Sequence, residues 1–297
     1  MSELFKEFVR IGRFVPATSY QRFAYVCSAL LILSGLVHGV VYLVDGGPWN
    51  GPISWRKPIV FGLSFGITLA TLAWMLRFLR PRAVVAWILT VLLALAALGE
   101  VFPITMQRWR GVASHFNETT AFDEQVFSRM GQLVSLIVLL TVIIAVWALI
   151  RLDAPPSLAF GIRAGLVLML VSQGVGVQMI VEGGNTFGDD GALKVPHAVT
   201  LHAAQVLPAL ALLLLLSVSA ESRRVRVVAL GAAGYAVLIA STMVQTYSGN
   251  APLDLGVVSS VLALAGLTLL ATSAVIALRG VADRLHRPTA PTVVTPS

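Results

Sequence analysis

Residues 23–44, FAYVCSALLILSGLVHGVVYLV, form an apolar run long enough to cross a bilayer. About 20 residues at the helical rise of about 1.5 Å span roughly 30 Å of hydrocarbon. Similar runs follow near Pro58–Leu79, Ala83–Met106, Met130–Ile150, Leu158–Val181, Pro196–Ala220, Val225–Tyr247 and Val257–Leu278. Backbone polar groups in lipid must be satisfied within each run, and no run alternates like a barrel strand. The sequence therefore predicts an all-α, polytopic integral membrane bundle of about eight transmembrane helices.

Composition supports this class and suggests a division of the chain. The chain is 57% hydrophobic and 12% charged, far more apolar than a soluble domain. We predict a cytoplasmic amphipathic segment over residues 1–22, a transmembrane domain over 23–280 and a disordered tail over 281–297. Because Cys27 is the single cysteine, an internal disulfide and a cysteine-based metal cluster are excluded.

Basic residues are unevenly divided between the two sets of connections. Of the 21 Lys and Arg, one set carries only Arg56, Lys57, Arg108, Arg110, Arg129 and Lys194. The positive-inside rule therefore predicts that both termini are cytoplasmic and that these six residues lie on the outer side of the plasma (inner) membrane. The net charge of +7 then reflects topology, so we expect the lipid bilayer, and no nucleic acid, as a partner.

The predicted outer connections are longer and more polar than the inner ones. The richest is MQRWRGVASHFNETTAFDE, residues 106–124. Thr120 and Asp123 fit a capping box that would start the fourth helix near Ala121. We expect the loop before it to present His115, Asn117 and Glu118 over an outer vestibule.

Histidines also concentrate in the predicted outer half. His38 and His202 each lie about six residues inside their spans, so the helical rise places both at a depth of roughly 9 Å. Imidazoles at equal depth suit a haem or a copper or zinc ion, and we predict a metal site at His38 and His202, with His197 higher. The alternative is that each histidine hydrogen-bonds across a helix interface.

Two further groups of polar residues are candidates for chemistry at the same face. Carboxylates and an imidazole near the outer level could act as acids or bases, and arginines beside tryptophans could bind an anion such as a phosphate, carboxylate or lipid headgroup. The catalytic candidates are Glu100, His115 and Glu182. The anion-binding candidates are Arg56, Lys57, Arg108, Arg110, Asn117, Gln205, Trp55 and Trp109. Alternatively, the arginines pair with nearby acids and outer lipid phosphates.

Two similar short segments raise the question of whether the chain contains an internal repeat. VDGGPWNG closes the first span and VEGGNTFG closes the fifth, on the same predicted side. Four spans per half would form a parallel 4+4 repeat with a cleft between the halves. Short glycine-rich matches also arise by chance.

These features lead to one functional hypothesis and two alternatives. The preferred hypothesis is a metal- or haem-binding redox protein or membrane enzyme that acts on a small anionic or amphipathic, lipid-like substrate at the outer face. The first alternative is a transporter or permease with an outward vestibule, which should show polar residues or broken helices at mid-membrane, with Pro208 the main candidate break. The second is a membrane assembly partner.

Overall fold

The computed structural model describes residues 2–12, 14–217 and 219–286. The helices are α1 Ser2–Gly12, α2 Ser19–Asp45, α3 Arg56–Leu79, α4 Ala83–Trp109, α5 Ala121–Ile150, α6 Pro156–Val181, α7 Lys194–Leu201, α8 Ala203–Leu215, α9 Glu221–Tyr247 and α10 Val257–His286. Two short strands are β1 Thr186–Phe187 and β2 Gly191–Ala192. With α7 and α8 counted together, α2 to α10 supply eight segments long and apolar enough to span a membrane. The all-α, multi-pass membrane class is confirmed.

The capping box at the start of α5 is confirmed. Thr120 is the N-cap, and its side-chain oxygen accepts a hydrogen bond from the Asp123 backbone N–H at 3.1 Å. The helix therefore begins at Ala121, whereas hydropathy alone predicted a start at Met130. The first three turns carry Asp123, Glu124 and Arg129, so an apolar run cannot be recognised there.

Two later spans also end differently from prediction, and one of them is interrupted. The sixth span ends at Leu215 instead of Ala220, and the eighth continues to His286 instead of Leu278. Residues 281–286, predicted to belong to the disordered tail, are therefore helical, while 287–297 lie outside the described residues. The sixth span is also interrupted at His202, between α7 and α8, and not at Pro208 itself. Pro208 has no N–H to bond the Ala204 carbonyl, yet α8 continues through it.

The helices cluster into two compact units. Unit I comprises Phe14–Ala154 and Met169–Phe187, which contain α2 to α5 and the C-terminal half of α6. Unit II comprises the remaining described residues. The predicted 4+4 repeat stays a prediction.

Glycines set the closest helix contacts within unit I. A Cβ built on Gly62 of α3 would lie 2.8 Å from the backbone of Leu31 and Gly35 on α2. A Cβ on Gly66 would lie 2.8 Å from the Ser28 carbonyl oxygen. Lipid gives no hydrophobic drive to helix association, so this backbone approach supplies the packing contacts that hold α2 against α3. The close α2–α3 contact also fixes the positions of residues at the helix ends, such as Asp45 of α2 and Arg56 of α3.

Unit II uses the same device. Gly234 of α9 faces Gly266 of α10, and a Cβ on either would lie 2.8–2.9 Å from the other's carbonyl oxygen. Gly165 of α6 approaches the Ala203 carbonyl of α8 in the same way, at 2.7 Å. Small residues thus define the helix crossings in both units.

Candidate functional site

His38 in unit I has both ring nitrogens engaged. Nδ1 lies 2.7 Å from the Ser34 carbonyl oxygen, and Nε2 lies 3.1 Å from Trp109 Nε1. A carbonyl can only accept a hydrogen bond and an indole N–H can only donate, so Nδ1 carries the proton and Nε2 accepts. His38 is therefore a neutral imidazole that joins α2 to the end of α4.

Trp55, Asp45 and Arg108 form a second set of contacts beside His38. Trp55 is only 3% exposed, and its Nε1–H donates to Asp45 Oδ2 at 2.6 Å. The Arg108 guanidinium carbon lies 3.8 Å above the centre of the Trp55 ring, and Arg108 Nη2 lies 3.5 Å from the same Asp45 oxygen. Trp109 meets the Trp55 ring edge to face at 5.0 Å. The stacked guanidinium is thus oriented by an aromatic face and a carboxylate together.

These residues border a groove with an apolar wall. Its volume is about 570 Å³, within the range of small-molecule sites, and it is lined by Val40, Val41, Val44, Asp45, Trp55, Arg108 and Trp109. Val44 is 85% exposed and Trp109 is 61% exposed, so one side of the groove is open. We call these seven residues the α2–α4 groove. It combines apolar surface with a single cation, as an amphipathic anion requires.

Arg110, predicted to bind an anion, is committed to a protein carboxylate. Its Nη1 lies 2.6 Å from Asp123 Oδ1 and also donates to the Gln107 side-chain oxygen. Gln107 Nε2 donates to Asp123 Oδ1 at 2.8 Å, and Asp123 is buried. This network joins the end of α4 to the start of α5. Of the two alternatives for Arg110, pairing with an acid is the one observed, and Gln107, which the sequence analysis did not single out, is at its centre.

Asn117 turns into its own loop and is not displayed over a vestibule as predicted. It is 5% exposed, its Nδ2 donates to the Ala113 carbonyl at 2.9 Å, and its Oδ1 accepts from the Thr119 hydroxyl at 2.7 Å. Short side-chain to backbone bonds of this kind stabilise turns. Asn117 therefore shapes the loop, and its amide is already used.

His115 lies against aromatic rings in the same loop. Its ring centre is 5.5 Å from Phe61 and 6.4 Å from Phe127, and the Ser114 hydroxyl lies 2.9 Å from its Nδ1. Burial, helped by the nearby Lys57 ammonium, lowers the pKa of His115 from 6.5 to about 3. His115 is therefore neutral at physiological pH.

Arg56 and Lys57 begin α3 without a carboxylate partner. In the described part of the chain, no acidic side chain lies within ion-pair distance of either residue. Arg56 Nε and the hydroxyl of the neighbouring Ser54 are buried without a hydrogen-bond partner. Unpaired buried donors and two cations at a helix N-terminus favour an anion.

The three catalytic candidates are not brought together. Glu100 is completely buried within α4, His115 lies in the loop after α4, and Glu182 is exposed after α6. Among the described residues, no hydrogen bond or ion pair joins any two of them. Their proposed roles as acid or base stay predictions.

The remaining candidates lie in unit II: His197 is in α7, Gln205 is in α8, and His202 lies between the two helices. The His202 carbonyl accepts hydrogen bonds from the backbone N–H of both Gln205 and Val206, at 3.0 and 3.1 Å. This shared acceptor marks the turn at which the sixth span is interrupted. His202 thus has a backbone role at the break.

The contacts of His38 limit how the predicted metal or haem could bind there. No group of three or more His, Cys, Asp or Glu among the described residues is arranged to hold a metal ion. A metal or haem iron could reach His38 Nε2 only if Trp109 moved away, because the Trp109 N–H occupies that lone pair. The side chains around His38, as they stand, do not fit a metal ligand.

Comparisons with known proteins add no family to this description. No protein-family model matches the chain, and no curated sequence or solved structure is significantly similar to it. The function is therefore inferred from the residues of the site itself.

Proposed function

We propose that this multi-pass membrane protein binds a small anionic, lipid-like molecule in the α2–α4 groove. The observation that carries the proposal is Arg108, stacked on Trp55 at 3.8 Å beside an open wall of valines. Among the described residues, Arg108 Nε has no hydrogen-bond partner and Arg108 Nη2 reaches Asp45 only at 3.5 Å, so protein acceptors do not saturate the guanidinium. The headgroup contacts Arg108 and the acyl chain lies along Val40 and Val44.

The Asp45 carboxylate orients Arg108 but does not fully offset its positive charge. Its carboxylate oxygen is shared between the short bond from Trp55 Nε1 and the longer contact of 3.5 Å with Arg108. A phosphate or carboxylate ligand can accept two parallel N–H hydrogen bonds from a guanidinium. Asp45 offers Arg108 only one oxygen, at a longer distance, and so does not replace such a ligand. Arg56 and Lys57, without a carboxylate partner, add positive charge at the adjacent start of α3. We further propose that this face is the extracytoplasmic one, because the positive-inside rule assigns these connections outside.

Binding can be tested in nanodiscs of phosphatidylcholine with two probes of equal chain length. One is a lysophosphatidate with a brominated chain, and the other is the corresponding uncharged monoacylglycerol. Bromine quenches tryptophan fluorescence at short range, so we expect saturable quenching by the lysophosphatidate alone. Arg108→Gln should weaken this binding about tenfold or more, because it removes a charge-assisted contact worth about 1.5–3 kcal/mol.

Arg129→Gln is the matched control, since Arg129 is exposed on the same predicted side and contacts Gln132. It should leave binding unchanged. Equal binding of the uncharged probe, or an unaltered affinity in Arg108→Gln with intact thermal stability, would refute the proposal.

A second candidate function, transport of a small solute, has observations of its own. The sixth span is broken at His202, and α4 carries a buried carboxyl, Glu100, within its membrane-spanning length. Broken helices and ionisable groups inside spans are typical of transport proteins. Uptake of the lysophosphatidate into sealed proteoliposomes, compared with surface binding alone, separates the two functions.

A further inference from the structure

Glu100 lies deep within a membrane-spanning helix. It is 17 residues from the first residue of α4, Ala83, and nine residues from the last, Trp109. At about 1.5 Å per residue these separations are roughly 26 Å and 14 Å. Both helix ends are therefore too far away for the side chain to reach water.

The Glu100 side chain faces protein and has no partner. Its exposure is 0%, and it belongs to the buried stripe of α4, between Ala96 and Ile104. Within the described residues, both carboxyl oxygens are buried and neither has a hydrogen bond. An unpaired charge in such surroundings is far more costly than a neutral acid.

The helices packed against α4 offer no compensating charge. α4 contacts α2, α3 and α5 within unit I. Their titratable and charged groups are Tyr20, Arg22, Tyr25, Cys27, His38, Tyr42 and Asp45 on α2, Arg56, Lys57 and Arg77 on α3, and Asp123, Glu124 and Arg129 on α5. None forms an ion pair or hydrogen bond with Glu100, and Arg129, on the facing helix, contacts Gln132 instead.

Other buried polar groups mark the shorter route from Glu100 to the end of α4. The Thr105 hydroxyl is buried and has no hydrogen-bond partner among the described residues, and Gln107 is fully buried in the network with Asp123 and Arg110. Pro103, between them and Glu100, has no N–H and cannot bond the Gly99 carbonyl. Polar groups thus continue from Glu100 to the Gln107 end of α4.

From this placement we propose that Glu100 is a proton-binding site inside the membrane. The carboxyl is held as the neutral acid and exchanges its proton with water through the Thr105–Gln107 end of α4. This proposal does not depend on lipid binding in the groove. It assigns the side chain a ligand, the proton, whereas the sequence suggested a catalytic acid or base near the outer level.

Dicyclohexylcarbodiimide provides a test on the wild-type protein in proteoliposomes. The O–H of a carboxylic acid adds across a C=N bond of this apolar reagent, with no leaving group, whereas an ionised carboxylate does not react. We expect an adduct on the peptide that contains Glu100 at neutral pH, and none at the exposed Glu182. Labelling should fall about tenfold per pH unit once the acid dissociates.

Infrared spectroscopy gives the decisive second measurement. A buried acid has a carbonyl stretch separate from carboxylate and amide bands, and this band should be present in wild type and in Glu182→Gln but absent from Glu100→Gln. If Glu100→Gln does not fold, loss of the band from wild type on raising the pH serves the same purpose. Absence of the band at neutral pH would overturn the proposal. Protection of Glu100 from the carbodiimide by Na⁺ at constant pH would also overturn it, because the ligand would then be a metal cation.

Discussion

At the scale of single residues, Trp109 determines what His38 can do. Its indole N–H saturates His38 Nε2, so replacing it leaves a buried acceptor without a donor. We expect Trp109→Phe to lower the free energy of unfolding by about 1–3 kcal/mol. Any metal or haem that binds through His38 should also bind more tightly to this variant, because Nε2 is released.

Thermal unfolding, with metal analysis and a visible absorption spectrum, checks both parts of this prediction. Trp49→Phe is the control, since Trp49 packs on Tyr42 and does not touch His38. Equal stability of the two variants would contradict the hydrogen bond. A stoichiometric metal or a Soret band in wild type that disappears in His38→Ala would show that Trp109 leaves Nε2 in the native protein.

His115 makes stability depend on pH in one direction. The pKa of His115 is about 3 in the folded state, below the ordinary value of 6.5. Between these two pH values the imidazole is protonated in the unfolded chain and neutral in the folded chain. The folded state is therefore destabilised as the pH falls from 6.5 towards 3, and His115 has no effect above that window. We expect His115→Gln to lose less stability than wild type between about pH 7.5 and about pH 5, by up to about 1.4 kcal/mol per pH unit within the window.

Thermal melts at the two pH values measure this difference. His286→Gln, which removes an exposed histidine, should retain the wild-type loss. An unchanged loss in His115→Gln would mean that His115 is protonated in the folded protein.

At the scale of elements, the α4–α5 junction depends on one buried carboxylate. Asp123 accepts from Gln107 and Arg110 and caps α5 through Thr120, whereas the adjacent Glu124 is exposed. We expect Asp123→Asn to cost about 1–3 kcal/mol, because an amide leaves Arg110 without its countercharge. Glu124→Gln should change stability by less than about 0.5 kcal/mol. Chemical unfolding in detergent compares the two, and equal losses would refute the network.

The α2–α3 pair depends on glycine at the crossing. A methyl group at Gly62 would lie 2.8 Å from the α2 backbone, while one at Gly39 would meet nothing within 4 Å. We expect Gly62→Ala to destabilise unit I by about 1–3 kcal/mol through overpacking. Gly39→Ala should be neutral or stabilising by up to about 1 kcal/mol, since it only restricts the unfolded chain. Thermal melts compare them, and a stable Gly62→Ala would show that the helices can separate at little cost.

Hydropathy predicted the eight spans and the capping box predicted the start of α5, but neither predicted how the helices face one another. His38 lies seven residues before Asp45, the last residue of α2, and its expected depth alone suggested His202 as its partner. The rotation of α2 instead directs His38 to Trp109, 71 residues away in sequence. Likewise Arg108 and Arg110 look equivalent in sequence, yet one stacks on Trp55 and the other pairs with Asp123. The rotation of a helix about its axis depends on how its side chains pack against the neighbouring helices. The sequence of one helix alone does not specify that packing.

At the scale of the whole molecule, charge predicts how the chain crosses the membrane. Because Cys27 is the single cysteine and is buried, Cys27→Ser gives a background for cysteine mapping. We expect Asn50→Cys in unit I and Leu253→Cys in unit II to react with an impermeant maleimide on intact cells. Arg82→Cys and Ala220→Cys should react only after permeabilisation, since most Lys and Arg lie on their side and the positive-inside rule keeps that side cytoplasmic.

The four exposed positions test each unit separately, because each contributes one site from either predicted side. Labelling of Arg82→Cys and Ala220→Cys on intact cells, with protection of the other two, would invert the topology. The α2–α4 groove would then face the cytoplasm, and its ligand would have to be a cytoplasmic anion. Agreement in one unit and inversion in the other would instead contradict the even number of crossings between residues 82 and 220, where α4, α5, α6 and the combined α7 and α8 are each counted as one span.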